Sequence, residues 1–128
     1  MIVKWKISPF MPPDEPDLVV WVNVGQVDKM WAATDPDFYV SAGGGGHTKP
    51  GSYARVGKAI SQGEIMEMPQ LSLDGSTLSF SDGRHRFAWC RDHGITALPV
   101  LAPPDCAEDL MKAVGESVPN PTDYRSIA

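Results

Sequence analysis

Ser81-Asp82-Gly83-Arg84-His85-Arg86-Phe87-Ala88 is the stretch on which the reading of this chain turns. It follows a β-hairpin signal, Asp74-Gly75 leading into Thr77-Leu78-Ser79-Phe80, and opens a helix expected over residues 84–93 and closed by Gly94. The first turn of a helix carries roughly half a positive charge on its backbone amides and favours acidic side chains. Here Arg84, His85 and Arg86 occupy it instead, each at a cost of a few tenths of a kcal/mol. A bound anion would turn those penalties into attractions, with amides and guanidinium forks converging on one phosphate or pyrophosphate. Gly83 suits such a site, because it tolerates positive φ and allows close backbone approach. Asp82 could cap the helix, hold Mg²⁺ or bind a sugar hydroxyl. The plain alternative is a solvated helix start in which Arg86 pairs with a surface carboxylate.

Outward from this corner, Tyr53 to Gln62 reads as a helix with Tyr53, Val56 and Ile60 on one face, Ser52 placed to cap it and Gly63 to close it. Pro69 opens a strand over residues 70–73, and residues 97–101 form another. Asp105 and Glu108 have capping-box spacing, opening a helix that runs to Gly115. Toward the N-terminus, Ile2 to Ile7 alternates as a short strand, Leu18 to Val24 is a buried strand, and Gln26 to Ala33 gives one or two helical turns. Phe38-Tyr39-Val40 is a further strand candidate. The expected fold class is α+β: one small domain over residues 1–115, a mixed sheet with helices packed around it, and a polar C-terminal tail over 116–128, extended or frayed.

With 128 residues the chain is one domain's worth, and its 42% hydrophobic and 21% charged content is ordinary for a globular protein. The longest apolar run, Leu18 to Val22, is far short of the roughly 20 residues that span a bilayer, so no membrane association is expected. No apolar leader with a cleavage site is visible, and two cysteines make no disulfide framework, so a reduced, bacterial-type cytoplasm is the expected location. Net charge is −5, but its distribution is uneven: −3 over residues 1–40, +1 over 41–100 and −3 over 101–128. The bases of the middle segment concentrate at Arg55 with Lys58, and at Arg84 with Arg86 and Arg91. An acidic chain with a local basic corner suits a small anionic ligand better than a long nucleic acid.

The ordered combination of the Ser81–Ala88 stretch, Gly94-Ile95 and Leu98-Pro99-Val100-Leu101 resembles the signature of the ParB/sulfiredoxin superfamily, in which a strand delivers a G-x-H-R turn into a helix. Tyr53 to Ile60, then Gly63, Glu64 and Pro69, are similar to the helix and strand that precede the hairpin in that family. The resemblance covers about residues 53–101 well. It implies a ParB/sulfiredoxin-like fold and a nucleotide site for ATP, ADP or CTP; hydrolysis of a triphosphate there would also need Mg²⁺. It also implies that Gly83, Arg84, His85 and Arg86 contact phosphates, assisted by Arg55 and Lys58, where the family has a Lys and a hydroxyl residue. Two departures limit it. Arg84 stands where sulfiredoxins have their catalytic Cys, which removes sulfinic-acid reduction, and Cys90 reads as a small core residue. The length leaves no room for the helix-turn-helix and dimerisation domains of partition proteins, so centromere binding in their manner is not expected.

Gly43 to Gly46, followed by His47, Thr48 and Lys49, is not a Walker A loop, since Gly-x-x-x-x-Gly-Lys-Ser/Thr is missing. The amides of Gly44 and Gly45 could close over a ligand bridging Arg55 and the Arg84–Arg86 turn; a flexible connector is the plain alternative. His47, His85 and His93 lack metal-ligand spacing, so no metal site is expected. For phosphoryl chemistry the candidate catalytic groups are Asp82, His85 and Glu67, although Glu67 also suits a solvated strand edge. The leading expectation is thus a nucleotide-binding domain with ATPase or phosphoryl-transfer activity. Two alternatives stay open: a non-catalytic binding or regulatory module from a plasmid, phage or other mobile element with a protein partner, and a metal-dependent DNA nuclease.

Overall fold

In a computed structural model, residues 3–9, 14–46 and 51–117 are described in full, and residues 125–127 as backbone. His47, Thr48 and Lys49 of the expected loop, and most of the tail, lie outside the described residues. Two sheets form. In the first, β1 (Lys4–Lys6) is flanked in parallel by β3 (Ile65–Glu67) and β7 (Arg125–Ile127). The second has the order β2 (Leu18–Asn23), β6 (Ala97–Ala102), β4 (Gln70–Asp74), β5 (Thr77–Asp82). Its outer pairs are antiparallel and its central pair, β6 with β4, is parallel. Four helices pack around them: α1 (Val24–Thr34), α2 (Ser52–Ser61), α3 (Arg84–Asp92) and α4 (Pro104–Val114). This is the α+β class expected.

The β4–β5 hairpin forms where Asp74-Gly75 signalled it, with Gly75 at φ 62° and Asp74 opposite Thr77. β6 is buried along its length from Leu98, as a central strand covered on both faces must be. Between the second sheet and α1 lies an aromatic cluster. The indole of Trp31, fully buried, meets Tyr39, Phe80 and Phe87 edge-on at centroid distances of 4.9, 4.7 and 5.8 Å. Such pairs add about 0.5–1.5 kcal/mol each beyond the area they bury. Phe80 on β5 and Phe87 on α3 thereby fix the strand and the helix that flank Gly83.

Local details depart from the sequence-based expectations at several places, among them β2, expected to be buried, whose first residues Leu18 and Val19 are exposed. Phe38-Tyr39-Val40 is not a strand: Phe38 closes a turn in which its N–H donates to the Asp35 carbonyl at 3.3 Å, and Tyr39 and Val40 follow without ladder partners. Ser52 does not cap α2; Gly51, at φ 80°, takes that position, and Ser52 is the first helical residue. The Asp105–Glu108 capping box does not form, because Pro103 stands at the cap and Pro104 begins α4, where proline's missing N–H costs nothing. Conversely, α1 begins earlier than expected, since the Asn23 side chain accepts from the Gln26 N–H at 3.0 Å.

Candidate functional site

β5 ends at Asp82, and Gly83 turns the chain into α3 with φ 84° and ψ 17°. A side chain at 83 would be strained twice over. Its Cβ would lie 2.8 Å from Pro69 Cα and 2.8 Å from Arg86 Nη2. The helix ladder opens with Phe87 N–H donating to the Gly83 carbonyl at 3.0 Å, so the amides before Phe87 lie outside the helix's own ladder. No side chain among the described residues caps this end. Two adjoining cavities, about 280 and about 480 Å³, open there and share Ser52, Asp82, Gly83 and His85 in their walls.

The smaller cavity lies between α2 and the turn. Arg55 and Arg86 face it, and Val56, Ala59 and Met66 form its apolar floor. Arg86 is also a brace. Its Nη2 donates to Asp82 Oδ2 at 2.8 Å and its Nη1 to the Glu67 carbonyl at 3.0 Å, tying β3, β5 and α3 together. Arg55 reaches Ser52 Oγ from Nη2 at 3.2 Å. The larger cavity lies on the other side of the turn, walled by Arg84, Phe38, Phe80 and Ser81. There the Arg84 guanidinium stands 5.4 Å from the Phe38 ring centroid, in cation–π range.

Of the residues singled out in the sequence, the structure therefore brings Asp82, Gly83, Arg84, His85, Arg86 and Arg55 to one place. Others sit elsewhere. Lys58 is exposed, one turn along α2, and lines neither cavity. Glu67 takes part through its backbone carbonyl, and its side chain lines neither cavity. Gly44 and Gly45 stay on the 39–46 segment, where their N–H groups both donate to the Ser41 carbonyl, at 3.0 and 3.3 Å. Gly44 packs against the Tyr53 ring, which a Cβ at 44 would meet at 2.6 Å. His93 stacks on Trp89 at 3.7 Å, at the far end of α3. Cys90 is buried, and burial pushes its thiol up to about 12, so it is an inert core group.

Arg91 belongs to a separate network at the C-terminal end of α3. Its Nη1 donates to Asp28 Oδ1 at 2.9 Å and to the Val40 carbonyl at 2.6 Å, while its Nε donates to Asp92 Oδ1 at 2.9 Å. Asp92 Oδ2 accepts from the Gly43 N–H at 2.9 Å and from the Tyr53 hydroxyl at 2.7 Å. Burial alone would raise the Asp92 pKa, but the bonds from Arg91, Tyr53 and Gly43 outweigh it and hold the carboxyl below its ordinary range. The Tyr53 hydroxyl is pushed up to about 12, by burial first and then by its bond to Asp92. This network fastens α1, the glycine segment and α2 to α3. It escaped the sequence reading because, apart from Arg91 with its neighbour Asp92, its pairings span 39 to 63 residues. α2 also approaches α3 closely at Gly57, where a Cβ would lie 2.5 Å from the Trp89 indole Nε1.

No family model matches the sequence, and no curated protein matches it. Among solved structures, the chain is similar to a crystal structure of an oncogenic suppression activity protein, described as a plasmid fertility inhibition factor, in its gold(I) cyanide derivative. The superposition has a TM-score of 0.62 at 18% identity and covers 78% of this chain and 57% of that one. This chain thus spans little more than half the length of the protein it matches. At that identity the likeness concerns the fold, and the architecture is consistent with a ParB/sulfiredoxin-like domain.

Proposed function

We propose that this chain is a nucleotide-binding member of the ParB/sulfiredoxin-like group that holds phosphates at the Gly83–Arg86 turn. One observation carries the reading: the uncapped start of α3 opens between two adjoining cavities, with Arg55 and Arg86 on one side and Arg84 on the other. Backbone amides, helix dipole and guanidinium groups act together on an anion there, in partial shelter from water, where each charge-assisted bond contributes about 1.5–3 kcal/mol. Asp82 is the one carboxylate among the described residues lining the cavities. Mg²⁺ would accordingly enter with the phosphates of a triphosphate rather than be held by the chain beforehand. For hydrolysis, His85 and Asp82 are the side chains within the site that could orient water or move a proton.

The likeness to a protein described as a plasmid fertility inhibition factor favours a second reading, a regulatory module that binds a nucleotide or phosphate without turning it over. Titration calorimetry with ATP, ADP and CTP, with and without Mg²⁺, tests the first proposal, and phosphate release tests the second. Saturable binding that weakens about tenfold in Arg55→Ala and in Arg84→Ala is the expected outcome, a tenfold change being about 1.4 kcal/mol. Absence of binding, or affinities unchanged in both variants, would overturn it. Binding without turnover would decide for the regulatory module.

A further inference from the structure

We infer that Phe38 is a stacking platform for the nucleobase, so that the larger cavity receives base and sugar while the smaller one receives phosphates. The inference rests on the nucleotide reading above and assigns the orientation of the ligand within that site. Phe38 is 59% exposed, the most exposed of the large apolar side chains described. A lone exposed apolar residue is ordinary. Phe38 differs from that case in being held in place and in facing a cavity.

Its backbone is fixed on both sides. The Phe38 N–H closes the turn onto the Asp35 carbonyl, and Asp35 is itself tied to Trp31 through Oδ2, which accepts from the indole Nε1 at 3.2 Å. Immediately after it, the Tyr39 ring packs on Trp31, its hydroxyl donates to Asp28 at 2.9 Å, and Val40 is fully buried. The ring is thus presented by a rigid frame, which lowers the ordering cost of stacking. It lines the 480 Å³ cavity together with Phe80, Ser81 and Arg84, a wall combining aromatic surface with hydroxyl and guanidinium donors.

Charge sets the direction in which the ligand lies. Beside Phe38 the chain carries Asp35 and Asp37, and the one guanidinium among the described residues lining the larger cavity, Arg84, is already engaged 5.4 Å from the Phe38 ring centroid. At the other end Arg55 and Arg86 face the smaller cavity. Asp82 lines both cavities and so stands at their junction, within the span where a ribose hydroxyl would lie. Base–aromatic stacking is tolerant of base identity, since every base has a π face, so purine and pyrimidine nucleotides are both accepted.

The test compares inorganic tripolyphosphate with ATP and CTP by calorimetry on the whole chain and on Phe38→Ala and Phe38→Trp. In the parent, both nucleotides bind at least about tenfold more tightly than tripolyphosphate. Phe38→Ala abolishes that advantage and leaves tripolyphosphate affinity unchanged, and Phe38→Trp keeps it. If all three ligands bind and Phe38→Ala leaves the nucleotides within twofold of the parent, the platform is overturned while the phosphate reading survives. Equal losses for tripolyphosphate and nucleotides in Phe38→Ala would also overturn it, because the ring would then act by placing Arg84. Failure of all three to bind the parent would overturn the phosphate reading and the platform with it.

Discussion

The two ends of α3 use the same kind of side chain for opposite purposes. At the N-terminal end, Arg84 and Arg86 stand at an uncapped turn between two cavities, and Arg84 is held by an aromatic ring rather than by a carboxylate. At the C-terminal end, Arg91 is enclosed by Asp28, Asp92 and the Val40 carbonyl, with its side chain 11% exposed. The difference lies in what surrounds each guanidinium. Where carboxylates and carbonyls converge on it, the cation is a structural fastener and has little to offer a ligand. Where no carboxylate among the described residues meets it, its charge is available to something that arrives from solvent. Arg86 is intermediate, because it braces the fold through Asp82 and the Glu67 carbonyl while still facing a cavity.

This contrast is most open to attack at Arg91. Arg91→Ala leaves Asp28 and Asp92 without their cation and the Val40 carbonyl without its donor, and should cost about 3 kcal/mol in urea denaturation. A loss under about 1 kcal/mol would mean that the enclosed end is no fastener. Next comes acidification. The Asp92 pKa is depressed in the folded chain relative to about 3.9 for an unfolded aspartate. Its contribution to stability is therefore complete above the unfolded value and is lost as pH falls through the folded one. The stability difference between the parent and Asp92→Asn should stay level near neutrality and shrink below about pH 4; a difference that grows on acidification would contradict the network described. The smallest effects belong to the open end. Arg86→Ala should lower stability by about 1 kcal/mol, since its ion pair is with a half-exposed carboxylate but its second bond is to a backbone carbonyl. Arg84→Ala should change it by less than about 0.5 kcal/mol. Thermal melts of the pair check the order, and a larger loss for Arg84→Ala would erase the distinction between the two ends.

The turn of the open end was legible in the sequence because the residues that form it are contiguous. A strand, a glycine and three basic residues follow one another from Ser81 to Arg86, and the misfit of cations at a helix start can be read without knowing the fold. The hairpin and the helix boundaries at Gly63 and Gly94 were legible for the same local reason. What could not be read is what distant segments bring. Phe38 reaches the turn from 46 positions earlier than Arg84, and its short β-branched and aromatic context mimics a strand when taken alone. Asp92 carries no local signal, although it binds two distant parts of the chain, Gly43 and Tyr53, besides its neighbour Arg91. The glycine segment was misleading in a different way. Four consecutive glycines suggest amides ready for a ligand, yet those of Gly43, Gly44 and Gly45 are already bound to Asp92 and Ser41. Gly44 and Gly45 instead give the segment room against Tyr53 and Ser41.

Gly57 has a bearing on the geometry of the proposed site. Because the backbone of α2 rests directly on the Trp89 indole, the offset between the helix that carries Arg55 and the one that carries Arg84 and Arg86 is set by the thickness of an aromatic plate. Such a spacer neither stretches nor swings as a long aliphatic stem does. For the proposed phosphate ligand, the span between Arg55 and Arg86 would then be fixed by this contact rather than by the reach of either side chain.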